Sequence, residues 1–334
     1  MVPTEKNMEL PGFVDLQVNG YLGIDFSSEE LTEEAFIHAC IDLRNAGTCL
    51  FLPTLITSPK SLLKRNLKMI SEVMKREEFN QFIPGIHVEG PFLSPQEGAR
   101  GAHNPEWMIK PDIDFFNDMS KWSNGRIKLI TIAAELEDAD KLCAYACTKN
   151  VTVSLGHQMA TSVELNLLAK SGASALTHLG NGTPKIIDRH NNSIWSGLAN
   201  DQFTAMIITD GHHIPNDLIK VILKAKPLNK VVVVSDASPI AGLLPGNYNT
   251  LGNDVVLSET GKLYNPHTGY LVGSSATMLD CMNYLAGLDL LTPEQLAMVG
   301  YYNPLQLVGL HPEPSHYPTS KVKYDEMEMR FRVI

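Results

Sequence analysis

Short apolar runs rich in Val, Ile and Leu alternate along the chain with longer stretches whose apolar residues recur every three to four positions. The first pattern predicts strands and the second predicts amphipathic helices. Strands are expected at residues 12–19, 49–57, 83–90, 126–135, 151–157, 174–179, 204–213 and 230–236. Helices are expected at 32–47, 58–78, 138–150, 162–172, 216–226, 276–287 and 292–310. Gly47 stops the first helix, and Pro59 suits the first turn of the second. The strand runs lack clean apolar–polar alternation, as expected when both faces of a parallel sheet are buried.

Three stretches fall outside this rhythm. Residues 91–125 read as a long insertion after the third strand, a place where lids and binding loops occur. Residues 239–272 carry Pro-Gly and Thr-Gly turns between short polar strands, which predicts a hairpin-rich excursion. The tail from residue 324 to 334 alternates and predicts an edge strand.

Eight strands mostly separated by helices fit an α/β fold of the (β/α)8, or TIM-barrel, type, and also an open doubly wound sheet. The position of polar residues separates the two. Glu89, His157, His178 and Asp236 each close or follow an apolar strand: the third, fifth, sixth and eighth. An open sheet places its site at one switch point, whereas a barrel gathers all its strand ends on one rim. The chain of 334 residues is therefore expected to form one barrel over residues 11–310. Residues 1–10 and 311–334 are expected to be remnant flanking strands or a tail.

Composition adds exclusions. A net charge of −10 does not favour non-specific nucleic-acid or membrane binding. No apolar run approaches the length of a membrane span. Five cysteines are scattered without a CxxC pair, which fits buried free thiols and a cytoplasmic protein.

One carboxylate and two imidazoles at strand ends suit a single catalytic Zn2+ that keeps an open position for water. Fe2+ and Co2+ accept the same ligands. Each of the three residues alone also reads as an ion-paired Glu or a structural His; together they repeat one geometry. Asp236 ends the most apolar strand, so it needs a partner or a role. Beside an activated water it could move the proton; the competing reading is a backbone-capping Asp. Gln17 and Asn19 close the first strand and read as hydrogen-bonding wall residues, because amides are poor Zn2+ ligands. His87 reads as a core histidine, and Arg189 by itself as a surface cation.

The segments PGFVDLQVNG, GIHVEGPFLSP, GAHNP, VSLGHQMAT, THLGNGTP, IITDGHH, VVVVSDASPIAG and GYLVGSSATM, spread from residue 11 to about 280, resemble the N-acetylglucosamine-6-phosphate deacetylases of the amidohydrolase superfamily. The resemblance implies that Glu89, His157 and His178 hold one divalent metal and that Asp236 is the acid/base. It implies that His103 polarises the acetamide carbonyl. Asn181, Gly182, Arg189 and His213 would form the sugar-phosphate pocket, with Ala102, Leu271, Val272 and Gly273 as further substrate walls. A small-molecule amino-sugar phosphate is the implied partner, and a homodimer is the implied assembly.

The sequence departs from the family's usual pattern in two places. Gly180 to Thr183 replace an aromatic residue, Asn, Ala and Met. His190, Asn191 and Asn192 replace a Pro-Gly after the phosphate Arg. The altered Gly180–Thr183 run motivates an alternative substrate, another N-acyl amino sugar or a cyclic amide. Family members also carry strands at both ends in a small β-sandwich, expected here to be reduced or absent; a sugar-phosphate-binding homologue without catalysis is the third reading.

Overall fold

Each of eight parallel strands pairs with its sequence neighbour, so the sheet follows chain order. The strands are β1 (Phe13–Val18), β2 (Thr48–Ile56), β3 (Ile86–Glu89), β4 (Ile127–Ile132), β5 (Thr152–Leu155), β6 (Ala175–Leu176), β7 (Thr204–Ile207) and β8 (Val231–Val233). The computed structural model describes residues 8–311 and 321–334. β1 and β2 are buried along their whole lengths, because helices cover the outside and side chains fill the inside. The sheet closes where Val18 bridges Ala237 in parallel and the Asn19 N–H donates to the Ala237 carbonyl at 2.8 Å. Side chains reinforce this junction: Asp15 accepts from the Ser235 hydroxyl at 2.5 Å and from the Ser235 N–H at 3.1 Å.

A helix follows every strand: α1 (Glu33–Asn45), α2 (Lys60–Val73), α3 (Ile113–Trp122), α4 (Ala139–Thr148), α5 (Ser162–Lys170), α6 (Ser193–Ala199), α7 (Asn216–Ala225) and α8 (Met278–Gly287). In α1 the buried residues Phe36, Ala39, Cys40 and Leu43 form one stripe, and Thr32 caps the first turn; the stripe faces the sheet as helical spacing requires. Capping boxes start α5 at Thr161 and Glu164 and α8 at Thr277 and Asp280, satisfying backbone N–H groups that the first turn leaves free.

Two helices were not read from the sequence. The second half of the supposed insertion 91–125 is α3. It buries Phe116, Met119 and Trp122, and the Asp112 side chain caps it. α6 is only seven residues long and starts at the Asn192 cap. The excursion forms a three-stranded antiparallel sheet of Gly246–Thr250, Asn253–Leu257 and Leu263–Tyr264.

Glu9–Leu10, Val322–Asp325 and Arg330–Val333 form a second antiparallel sheet. The expectation for residues 1–10 and 311–334 extends over 1–7 and 312–320, which lie outside the described residues. Phe331 in this sheet meets Phe13 edge-on, with centroids 4.9 Å apart. Asn283 of α8 fixes it further, donating to the Phe331 carbonyl at 3.1 Å and accepting from its N–H at 2.6 Å. No helix among the described residues is long and apolar enough to cross a membrane.

Candidate metal centre

Parallel strands end on the same rim, and there the polar residues converge. Glu89 is the last residue of β3; His157 and His178 lie two residues beyond β5 and β6, and Asp236 lies three beyond β8. His157, His178 and Asp236 have φ of 51°, 30° and 49°. Left-handed backbone at a non-glycine residue costs about 1–3 kcal/mol and clusters at functional sites. Each strand pays this strain at the point where its side chain turns to the cleft.

Glu89 Oε1 lies 3.2 Å from both His157 Nε2 and His178 Nε2, which are 3.0 Å apart. All three residues are buried, and their ligand atoms could together hold a metal ion. The protonation pattern fits. His157 Nδ1 lies 2.8 Å from the Ala99 carbonyl, which can only accept, so the hydrogen sits on Nδ1 and Nε2 presents a lone pair. Two imidazole nitrogens and a carboxylate oxygen packed this closely call for positive charge between them, and N and O donors suit a divalent cation. Burial opposes ionisation, but the two imidazoles beside it hold the Glu89 carboxyl well below the usual carboxylate range. It is therefore an anion at neutral pH, as a ligand must be.

Partners outside the cluster fix its members. Gln17 Nε2 donates to Glu89 Oε1 at 3.0 Å, and Asn19 Nδ2 donates to Asp236 Oδ1 at 2.8 Å. The wall residues read from the sequence thus hold one ligand and the neighbouring acid. Gly101 and Gly182 press on the His157 ring: a Cβ on Gly101 would sit 2.8 Å from its Cε1, and one on Gly182 would sit 3.1 Å from its Nδ1. Beneath the cluster runs a buried polar chain. His87 Nδ1 lies 3.3 Å from Thr54 Oγ1 and Nε2 lies 2.8 Å from Thr131 Oγ1, which meets Thr177 Oγ1 at 2.8 Å. Burial pushes the His87 pKa down to about 4, so it is a neutral core group.

Burial raises the Asp236 carboxyl above its ordinary range, and the Glu89 charge adds to the effect. His103 is pushed down to about 3, first by burial and then by the His157 imidazole. Its Nδ1 lies 3.0 Å from Thr57 Oγ1, and its Nε2 lies 3.7 Å from Glu89 Oε2. A neutral His103 whose Nδ1 accepts from the Thr57 hydroxyl would carry its hydrogen on Nε2, the nitrogen on the Glu89 side.

The cleft encloses about 320 Å3. Of the residues expected at the site, Asn19, Glu89, Ala102, His103, His157, His178, Asn181, Gly182, His213, Asp236, Leu271 and Gly273 line it. Val272 lines an adjoining cavity of about 690 Å3, and Gln17 stands behind Glu89. Arg189 is not brought to the cleft. Asp188 Oδ1 accepts from the N–H groups of His190 and Asn191, and Asn192 caps α6. The segment closes into its own turn with Arg189 exposed.

Four contributors escaped the sequence reading. Thr57 holds His103, and the Ala99 carbonyl holds His157. Asp210 Oδ2 lies 2.7 Å from His213 Nδ1. Its hydrogen bond with His213 overrides burial and keeps its pKa down at about 2. Lys185 enters the cleft lining. Only Asp210 had a local signal, since it shares the DGHH segment with His213.

No family model matches the chain. It is 31% identical over 310 residues to the N-acetylglucosamine-6-phosphate deacetylase of Bos taurus, which spans 90% of this chain and 74% of that one. It is 27% identical over 312 residues to the N-acetylgalactosamine-6-phosphate deacetylase of Escherichia coli O157:H7, covering 92% of this chain and 80% of that one. A mutant N-acetyl-D-glucosamine-6-phosphate deacetylase from Mycobacterium smegmatis, solved in complex with N-acetyl-D-glucosamine-6-phosphate, has a TM-score of 0.87 at 24% identity. The match covers 99% of this chain and 88% of that chain, a likeness of fold.

Proposed function

Because this chain belongs to the N-acetylglucosamine-6-phosphate deacetylase family of the amidohydrolase superfamily, we propose that it hydrolyses the acetamide of N-acetylglucosamine 6-phosphate to glucosamine 6-phosphate and acetate. The observation that carries the reading is the convergence of Glu89, His157 and His178 beside an Asn19-tethered Asp236 in one cleft. Such an arrangement serves the splitting of an amide by water.

Glu89, His157 and His178 would hold one divalent ion, with Zn2+ the best match to the donors. A bound ion of this kind lowers the pKa of water and polarises a carbonyl. Asp236 takes a proton from the attacking water as the new C–O bond forms. Its raised pKa favours holding that proton until the C–N bond breaks. Asp236 then delivers it to the departing nitrogen, so the amine leaves neutral. Asn19 keeps one carboxyl oxygen fixed while the other faces the reaction. His103 donates from Nε2 to the carbonyl oxygen as negative charge gathers there. Asn181, Gly182 and His213 bind the sugar, and Ala102, Leu271, Val272 and Gly273 wall it.

The relative that acts on the galactose epimer motivates a second substrate. The deciding experiment is acetate release by metal-replete protein on four sugars: N-acetylglucosamine and N-acetylgalactosamine, each with and without the 6-phosphate. The highest kcat/KM is expected for N-acetylglucosamine 6-phosphate. Preference for the galactose epimer would shift the substrate and leave the chemistry. Acetate release from none of the four would remove the function.

A further inference from the structure

Resting on that reading, we infer that the cavity beyond His103 is a second subsite, which takes an N-acyl group carrying a protonated amine. The cavity encloses about 690 Å3 and shares Ile56, Ala102, His103 and Leu271 with the metal cleft. Its size is that of a ligand pocket. The amide bond sets which part of a substrate reaches it. An amide is planar and trans, so its acyl chain and its nitrogen substituent leave in opposite directions. With the sugar against Asn181, Gly182 and His213, the acyl chain points past the metal ligands toward His103 and the cavity behind it. An acetyl group has one carbon past its carbonyl and uses little of this space.

Two independent observations set the chemistry of the occupant. Asp25, Glu29, Glu30 and Glu97 line the cavity, against Arg100 as the only Lys or Arg among the described lining residues. The three glutamates stand exposed, while Asp25 is half-buried. Burial raises the Asp25 pKa to about 6, against the N–H groups of Ser27 and Leu251 that donate to it. Such a carboxylate is short of positive charge. The second observation is Thr250. It lines the same cavity with 5% of its surface exposed, and its Oγ1 has no hydrogen-bond partner. It stands one residue before the Leu251 N–H that Asp25 accepts. A hydroxyl lone pair and a carboxylate are both acceptors, and an ammonium is all donor. Asn253 fixes this wall, its Nδ2 donating to the Ala102 carbonyl at 3.2 Å and to the Leu251 carbonyl at 2.8 Å. The reaction is that of the acetyl substrate. Water adds to the acyl carbon, the C–N bond breaks, the proton passes to the sugar nitrogen, and an amino acid leaves in place of acetate.

The test uses two amides of glucosamine 6-phosphate with the same shape and different charge, N-(γ-aminobutanoyl) and N-pentanoyl, with the N-acetyl compound as reference. The first readout is kcat/KM for release of glucosamine 6-phosphate by metal-replete protein. The second is calorimetric binding of the two amides in an Asp236→Asn background, which does not require turnover. The wild type should favour the cationic amide about tenfold or more, the scale of a charge-assisted hydrogen bond. Asp25→Asn should bring the two amides within about twofold of each other, with hydrolysis of the N-acetyl compound held within about twofold of wild type. Thr250→Val keeps the shape and removes only an unpaired hydroxyl, so it reads the same loss where Asp25→Asn fails to fold. Wild-type rates and affinities no higher for the cationic amide, or a preference that survives both substitutions, would overturn the inference while acetate release leaves the proposed function standing. Tighter binding of the cationic amide that is lost in the Asp25 and Thr250 variants, with none of the three amides hydrolysed, would support the subsite and remove the proposed reaction.

Discussion

Asp236→Asn isolates the proton transfer with little change in shape. The carboxyl is buried, and its Oδ1 accepts a 2.8 Å hydrogen bond from Asn19 Nδ2. In the variant the amide oxygen must stay at that position, since the reverse orientation would set two NH2 groups against each other. The new NH2 then replaces the oxygen that faces the reaction. Geometry is kept and the proton acceptor is gone. General acid–base catalysis is worth roughly 10²–10⁴-fold, so kcat should fall by at least about a hundredfold, or about 3 kcal/mol in the barrier. Stability should move the other way. Burial and the nearby Glu89 charge disfavour the Asp236 anion, and a neutral amide removes that cost. The variant should melt at or above the wild-type temperature. Acetate release, metal content and thermal melting are measured on the same preparation. A fall in kcat below about tenfold, with metal and melting temperature preserved, would refute the assignment of Asp236 as acid/base.

Other perturbations test the supporting structure. Glu89→Gln keeps an acceptor for the Gln17 amide but removes the anionic ligand; metal should be lost to a competing chelator well before the wild type loses it, and equal retention would place the ion elsewhere. Gly101→Ala puts a methyl 2.8 Å from His157 Cε1 at a φ of +56°. Metal affinity should drop about tenfold with a destabilisation of about 1–2 kcal/mol, and an unchanged chelator titration would show the contact to be slack. Burial raises the Asp15 pKa from 3.8 to about 7. The folded state then holds the proton more tightly, so the stability from Asp15 is full below about pH 4 and lost as pH rises through about 7. Asp15→Asn should flatten the decline in melting temperature across that window, and parallel curves for variant and wild type would contradict it.

The strand ends were legible because each site residue closes or follows an apolar strand. Glu89, His157, His178 and Asp236 stand out against Ile86–Glu89, Thr152–Leu155, Ala175–Leu176 and Val231–Val233 on polarity alone. α3 was hidden for a different reason. Proline and glycine in the first half of residues 91–125 mask the helical stripe of Phe116, Met119 and Trp122 in the second. The partners of Gln17 and Asn19 could not be read at all. Gln17 reaches Glu89 across 72 positions and Asn19 reaches Asp236 across 217, contacts that exist only once the sheet has curled. Arg189 and Lys185 show the same limit. Lys185 lines the cleft while Arg189 lies exposed in the turn capped by Asp188 and Asn192, a placement set by the folded loop.

The joint between β1 and β8 rests on one backbone bridge and the Asp15–Ser235 clasp, and the Asn19–Asp236 pair stands directly above it. The three metal-ligand candidates come from β3, β5 and β6, well away around the hoop. If that stave loosens, the proton shuttle drifts from its anchor while the ion's cradle stays whole. Such a molecule would be loaded yet idle, so turnover would report on the integrity of the hoop more sensitively than metal content could.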